Sequence, residues 1–234
     1  MDNSAFRLLK LLEAGKKYPG NYACVRVWKD ILSAETELEV PEKFGYFLRL
    51  VGETAHDVLQ ISPSSADSVS HWRGQILTAM SSSNMSSPWE GFINHIDSHT
   101  FAYLRMQADL IDGKIHKKLI DIDQLAKARE HLLLALNEIR ESSALTPATR
   151  ISLVTKIQTI ICAIDNYHII GQEHVFDAVK VVYFDMTHAK QQGIEVPGKS
   201  NIRDGLSIIA DLMSMADGAI ALSGPIMQLL QNIP

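Results

Sequence analysis

The chain has 234 residues and a formal net charge of −5 at pH 7, from 22 Lys and Arg against 27 Asp and Glu. Apolar residues make up 46% and charged residues 21%, which excludes an intrinsically disordered chain, because disorder requires low hydrophobicity together with high net charge. The mild acidity argues against a protein that coats nucleic acid, since the neutralisation of phosphates requires a basic surface.

The first eighty residues contain four stretches in which apolar residues recur at helical spacing. Each stretch begins beside a residue that commonly caps or opens a helix. The residues expected in these roles are Ser4, Asn21, Pro41 and either Ser64 or Ser65. The first helix is expected to end at the turn Gly15–Gly20.

The segment Ser81–Pro88 has the sequence Ser-Ser-Ser-Asn-Met-Ser-Ser-Pro. Small polar residues compete with helical hydrogen bonds and cannot pack a core, so the segment is predicted to be a linker. It would separate an N-terminal helical subdomain, residues 1–80, from a C-terminal helical bundle, residues 89–234. One continuous domain is the alternative.

The second part of the chain continues the helical pattern. Further helices are expected over Trp89–Ile96 and His99–Leu110 and after Asp121 or Asp123, Thr146-Pro147, Gly171 and Ser200. Residues 179–184 are β-branched and aromatic and would also suit a strand, but their helical flanks favour a helix. Without βαβ alternation, the sequence predicts an all-α fold, a multi-helix bundle of roughly eight to ten helices.

The loop Gly193–Ser200 matches the phosphate-binding pattern GxxxxGK[ST] at every fixed position. In that function Lys199 would contact the outer phosphates and Ser200 would bind Mg²⁺. Such a loop follows a buried strand, whereas Thr187–Gln192 is polar and only 34 residues follow Ser200. The favoured interpretation is therefore a turn between helices, in which Ser200 caps the last helix, and a nucleotide-binding enzyme is an alternative.

The histidines form several pairs with the spacing of metal ligands. His95 and His99 are separated by four positions, which can place two imidazoles on one face of a helix. Carboxylate–histidine pairs at a spacing of three are Glu53/His56, Asp165/His168 and Asp185/His188. A di-iron bundle needs matched Glu-x-x-His pairs with two further glutamates, which this chain does not repeat, so no metal site is predicted.

Arg49 and His56 lie six residues apart on the predicted third helix. Their spacing resembles the Arg-x(4–6)-His motif of HEPN-type ribonucleases, which are also helical. Those enzymes have a polar residue after the Arg, where this chain has Leu50, and they pair two copies of the motif across a dimer. A helical nuclease is thus an alternative, and no catalytic residue is assigned.

Cys24 and Cys162 are the two cysteines of the chain, and each lies alone in an amphipathic stretch. A nucleophilic cysteine needs a base and an electropositive setting, so both are expected to be core thiols. Two isolated thiols suit a reducing compartment, and the acidic N-terminus is unlike a signal peptide. A cytoplasmic protein without a cofactor is expected.

The most hydrophobic region runs from Gly205 to Ile233, and Gly218–Pro234 carries no charge. Polar residues and Pro225 interrupt it, so it does not form a simple membrane span of about 20 apolar residues. The segment is expected to be a last core helix, a partner-binding surface or a membrane-active surface, the last disfavoured by Asp204, Asp211 and Asp217. The residues expected to contact a partner are Leu206, Ile209, Leu212, Met213, Ile220, Ile226, Met227 and Leu230.

Three blocks of this sequence together resemble a set of uncharacterised bacterial all-helical proteins. Some of those proteins are encoded near mobile-element or phage-defence genes. The blocks are Asn21–Leu32 with Trp28, Gly171–Ala178, and Ala216–Leu230 with Gly224-Pro225. This resemblance implies a small accessory protein and transfers no site residue. The leading hypothesis is a non-enzymatic helical protein that binds another protein or itself through an apolar surface, with no nucleic-acid partner.

Overall fold

A computed structural model of the chain describes residues 2–115, 119–191 and 197–217. Within these residues there are 11 α-helices, nine of them with seven or more residues, and no strands, which confirms the all-α multi-helix prediction. The helices are α1 (Ser4–Gly15), α2 (Cys24–Ile31), α3 (Val40–Ile61), α4 (Ala66–Ser82), α5 (Glu90–Ile93), α6 (Ser98–Asp112), α7 (Ile122–Glu141), α8 (Pro147–Asp165), α9 (Tyr167–Ile170), α10 (Gln172–Gln191) and α11 (Lys199–Asp217).

The chain divides into two compact units. The first unit comprises Met1–Lys117 together with His168–Gly171, and the second comprises Lys118–Tyr167 together with Gln172–Pro234. In sequence, the first boundary falls between Lys117 and Lys118 rather than in the Ser-rich segment at residues 81–88.

The Ser-rich segment lies inside the first unit because the backbone at residues 85–88 pairs with the start of α2. The amide of Cys24 donates to the Ser87 carbonyl at 2.9 Å, and that of Val25 donates to the Met85 carbonyl at 2.8 Å. Helix α4 itself continues to Ser82. This pairing gives hydrogen-bond partners to backbone groups that, from the composition of the segment alone, would be expected to bond to water.

Two of the expected helix starts in the first unit are wrong. Asn3, and not Ser4, caps α1: its side chain accepts a 2.9 Å hydrogen bond from the Phe6 amide, while the Ser4 hydroxyl donates to Asp57 at 2.6 Å. Helix α2 begins at Cys24 and not after Asn21, because the Tyr22 carbonyl accepts a bond from the Trp89 amide. In α3, Pro41 occupies the first turn as expected.

The core of the first unit is built around an aromatic cluster from α2, α3 and the start of α5. The Trp28 ring lies 4.8 to 5.3 Å, centroid to centroid, from four other rings. They are Phe44, Phe47, Trp89 and Phe92. The indole N–H of Trp89 donates to the Gly15 carbonyl at 2.9 Å, so the end of α1 is tied to the cluster. Edge-to-face packing and a satisfied indole are both typical of a stable aromatic core.

The second unit is formed by α7, α8, α10 and α11. The side chain of Asp121, one of the two candidate caps, caps α7, and that of Thr146 caps α8 as expected. Residues 179–184 are helical and belong to α10. The expectation that Ser200 caps the last helix is wrong: α11 begins at Lys199, directly after Gly198, whose φ of +71° lies in the region that favours glycine.

Helices α7 and α11 run antiparallel at close range. A Cβ atom at Gly198 would lie 2.9 Å from the Cα of Ala135, and one at Gly205 would lie 3.1 Å from the Ala128 carbonyl oxygen. Asn201 at the start of α11 donates to Glu138 near the end of α7 at 2.6 Å. This register places the C-terminal half of α11 beside the first turn of α7.

Candidate functional site

A groove with a volume of about 530 Å³ lies where the C-terminal half of α11 passes the start of α7, and all of its described lining residues belong to the second unit. Its described lining residues come from the segment that leads into α7, from the first turn of α7 and from one face of α11. They are Leu119, Ile120, Asp121, Gln124, Ile208, Asp211, Leu212 and Met215. A volume of this size is typical of pockets that take several side chains or a small ligand.

The α11 wall of the groove is a single row of residues. Ile208, Asp211, Leu212 and Met215 follow each other at spacings of three, one and three, which places them on one face of the helix. The Leu212 side chain is buried, whereas Met215 is 71% exposed, so the row leads from the core of the unit to solvent. The face is therefore apolar apart from Asp211, and it is accessible at its C-terminal end.

The α7 wall is fixed by its cap. A side-chain oxygen of Asp121 accepts hydrogen bonds from the amides of Asp123 and Gln124, at 3.0 and 3.2 Å. Leu119, which also lines the groove, is 61% exposed, whereas Ile122 is 67% exposed but is not among the lining residues. Leu119 and Met215 are therefore large exposed apolar side chains at one concave place, which is typical of interaction sites.

The charged side chains among the described lining residues are both carboxylates, those of Asp121 and Asp211. An apolar groove bordered by negative charge favours a ligand that is apolar with positive charge at its edge. The Asp121 carboxylate is held by its capping bonds, and it therefore provides a negative charge at a fixed place in the wall of the groove.

Four of the eight residues expected to bind a partner lie in α11, and all four are buried within the second unit. They are Leu206, Ile209, Leu212 and Met213. Of these, only Leu212 is among the lining residues of the groove. The other four, Ile220, Ile226, Met227 and Leu230, lie outside the described residues. The groove residues Ile208 and Met215 were missed, although both belong to the amphipathic pattern of the same helix.

The residues of the phosphate-loop pattern are only partly described. Lys199 and Ser200 form the first turn of α11, and Gly193–Val196 lie outside the described residues. The described element that precedes the pattern is α10, a helix that continues to Gln191. A phosphate loop follows a buried strand, so the structural setting of this pattern differs from that of a nucleotide site.

The Arg49 and His56 pair lies on the exposed side of α3. The Nε atom of Arg49 binds Glu53 Oε1 at 2.6 Å, and both Arg49 and His56 are exposed. Leu50, which replaces the polar residue of the ribonuclease motif, is buried. The arginine is therefore used in a local ion pair along its own helix.

Among the candidate histidine pairs, the structure describes the side chains of His95/His99, Glu53/His56 and Asp165/His168, whereas those of Asp185 and His188 lie outside the described part of the chain. His95 lies in the turn after α5 and His99 lies in α6, so the two do not share a helix. Asp165 binds Arg129, and Glu53 binds Arg49. Within residues 2–115, 119–191 and 197–217, no three His, Cys, Asp or Glu side chains are grouped as a metal site requires.

One histidine contact was not predicted. His71 Nε2 lies 2.9 Å from Asp97 Oδ2, and the other oxygen of Asp97 accepts from the Thr100 amide at 2.8 Å. Burial raises the pKa of Asp97, but the bonds from Thr100 and His71 outweigh it and hold the pKa below its ordinary value. No local pattern could reveal this pair, because His71 and Asp97 lie on different elements.

Both cysteines are free thiols, Cys24 buried and Cys162 half-buried. Burial raises the pKa of Cys24, which opposes formation of a thiolate. Its Sγ atom lies 3.7 Å from the Pro88 carbonyl, within the pairing of residues 23–25 with 85–88. The Cys24 environment is that of a structural thiol.

Comparison of the chain with protein-family models, with curated proteins and with solved structures finds no match. The groove therefore has to be interpreted from its own residues. Among the helices that the structure describes, none combines the length and apolar character needed to cross a membrane.

Proposed function

We propose that this protein is a non-enzymatic helical interaction protein that binds an amphipathic helix of a partner protein in the groove between α7 and α11. The observation that carries the proposal is the combination of an apolar groove with carboxylates at its border. Grooves of this kind receive the apolar face of a helix, with side chains at positions i, i+3, i+4 and i+7 as anchors.

The expected partner helix is basic. The described charges at the groove are Asp121 and Asp211, and the chain as a whole carries a net charge of −5. Lys or Arg residues that flank an apolar stripe would lie close to these carboxylates, which favours fast association and a defined orientation. An acidic helix with the same apolar residues would meet like charges.

The exposed side chains Leu119 and Met215 support this proposal through the apolar area that they offer at the groove. Burial of apolar surface contributes about 25 cal/mol per Å², so covering these two side chains favours binding. In the free protein the same side chains are in contact with water. The unfavourable free energy of this apolar hydration is removed when a helix covers them.

The proposal extends to the setting of the protein. The resemblance of three blocks to bacterial helical proteins encoded near phage-defence or mobile-element genes supports an accessory role in a bacterial defence or toxin-type system. The buried free thiol of Cys24 supports a reducing compartment, the cytoplasm. A membrane surface would require cations at the groove, whereas its described charges are negative.

The proposal is tested with two synthetic helical peptides of about four turns. Both have leucines at i, i+3, i+4 and i+7, and they differ in flanking Lys or flanking Glu. Fluorescence anisotropy should show that the Lys peptide binds the wild-type protein and that the Glu peptide binds at least about tenfold more weakly, a difference of roughly 1.4 kcal/mol.

Met215→Glu is the variant that locates the site. Met215 is 71% exposed, so the substitution leaves the core intact, and it should weaken binding of the Lys peptide by at least about tenfold. Ile151→Glu on α8 is the matched control, because Ile151 is 67% exposed and does not line the groove. Equal affinity of the two variants for the peptide, or equal affinity of wild type for both peptides, would refute the proposal.

A further inference from the structure

The four residues His168–Gly171 belong to the first unit, although Tyr167 and Gln172 on either side belong to the second. We call them the docked segment. The Ile169 side chain is fully buried, and its carbonyl oxygen accepts a 3.1 Å hydrogen bond from Nε of Arg7 in α1. Ile170 is buried as well, so the docked segment is held by two buried apolar side chains and by the bond from Arg7.

The Arg7 side chain is itself held in place. It forms an ion pair with Asp2, with side-chain exposures of 14% for Arg7 and 2% for Asp2. Gly171 has a φ of +80°, and a Cβ atom there would lie 2.4 Å from the Arg7 guanidinium. A paired and largely buried guanidinium is therefore packed against a backbone position that only glycine fits without strain.

His168 is the titratable residue of the docked segment. Its Nε2 atom is buried and has no hydrogen-bond partner. Lys43 of α3 faces the ring as a positive charge, and the backbone of Leu32 at the end of α2 forms a hydrogen bond with it. The charged groups that the N-terminal part of the chain places near the docked segment are Arg7 on α1 and its partner Asp2, which precedes α1. The Lys43 ammonium donates to the Ser33 carbonyl at 2.8 Å, which keeps it in place.

We propose that the docked segment is acid-sensitive: protonation of His168 releases residues 168–171 from the first unit. A second ring proton would create a buried N–H donor without an acceptor and a positive charge that faces Lys43. Both effects destabilise the protonated form of the ring, and they do so only while the segment is docked. After release, water solvates the imidazolium and the opposition disappears.

The sign of the pH dependence follows from burial and from Lys43. Burial is the larger cause and the Lys43 charge the second, and together they lower the pKa of His168 in the docked state, with the Leu32 bond acting against them. The released state therefore binds more protons below the ordinary histidine pKa of about 6.5. Docking is fully stable above that pH and weakens as the pH falls below it.

Amide hydrogen exchange of the full chain tests the proposal, with protection factors for Ile169, Ile170 and Gly171 measured from neutral pH down to about pH 5. In the wild type, these protection factors should fall by up to about tenfold per pH unit below about pH 6.5. Amides in the middle of α1 serve as the reference and should keep their protection, which separates local release from unfolding of the unit.

Two variants make the outcome decisive. His168→Gln removes the titration, and the protection of the docked segment should then be independent of pH over this range. Lys43→Met keeps His168 and removes the facing charge, so the total loss of protection on acidification should be smaller than in the wild type. If His168→Gln fails to fold, Lys43→Met alone carries the test. Loss of protection that is unchanged in Lys43→Met, or a wild type without any pH dependence, would overturn the proposal.

Discussion

Gly205 of α11 packs against the backbone of Ala128 in α7, so closely that an added Cβ would lie 3.1 Å from the Ala128 carbonyl oxygen and 3.1 Å from Cγ of Leu132. This contact sets the separation of the two helices that form the walls of the groove. Because α11 continues in the same direction to Met215, the register at Gly205 determines which residues of α11 lie opposite Asp121.

The substitution Gly205→Val should separate α7 from α11. The branched side chain has no space between Ala128 and Leu132, and overpacking of this kind costs about 1–3 kcal/mol. Urea unfolding followed by circular dichroism measures the loss. Gly74→Val is the matched control: it is also a helical glycine, but nothing lies within 4 Å of its added Cβ, so its stability should stay within about 0.5 kcal/mol of wild type. Equal losses for the two variants would contradict the close contact.

The substitution Gly171→Ala should destabilise the docked segment. Its φ of +80° is strained for alanine, and the new Cβ would collide with the Arg7 guanidinium. A cost of about 1–3 kcal/mol is expected, seen as lost hydrogen-exchange protection at Ile169 and Ile170. Gly52→Ala on α3 has open space around its Cβ and should be neutral or stabilising by up to about 1 kcal/mol. Wild-type protection in Gly171→Ala would show that Arg7 does not restrict this position.

The Asp97 carboxylate should contribute stability that is lost in acid. Bonds from Thr100 and His71 lower its folded pKa against the opposing effect of burial, so the contribution is present above the unfolded value of about 3.9 and lost as pH falls through the folded value. Asp97→Asn keeps a capping oxygen but cannot titrate. Thermal unfolding should give similar stability for wild type and variant at pH 7, to within about 1 kcal/mol, and a smaller acid loss in the variant. Parallel acid curves would refute this assignment.

The helices were predictable because their signals are local. Asp121 and Thr146 cap the helices that follow them, and Pro41 lies in the first turn of α3, since a capping side chain or a fixed φ acts within a few residues. Ser4 does not cap α1, because Asn3, one residue earlier, accepts the capping bond from the Phe6 amide. The Ser4 hydroxyl instead donates to Asp57, which is distant in sequence. A one-residue choice of this kind is decided by tertiary contacts.

The candidate site was less predictable than the helices. The sequence identified the region of α11, but it could not identify which residues of the apolar pattern α7 covers. The close approach at Gly205 buries Leu206 and Ile209 and leaves Ile208 and Met215 at the groove. The Ser-rich segment shows the same limit, because its pairing with Cys24 and Val25 joins residues at least sixty positions apart.

The substitution Asp211→Asn should show how much the charge of the groove, as distinct from its shape, contributes to the affinity for the Lys peptide. It preserves the size of the side chain and removes one carboxylate, so affinity for the Lys peptide should fall by an amount equivalent to about 0.2–1 kcal/mol at low salt. The difference from wild type should shrink at high salt, where the Debye length falls to about 3 Å. Asp109→Asn on α6 is the matched control, since it changes the net charge equally at an exposed position in the first unit. An equal effect of Asp109→Asn would mean that the overall charge of the chain, and not the groove, attracts the basic peptide.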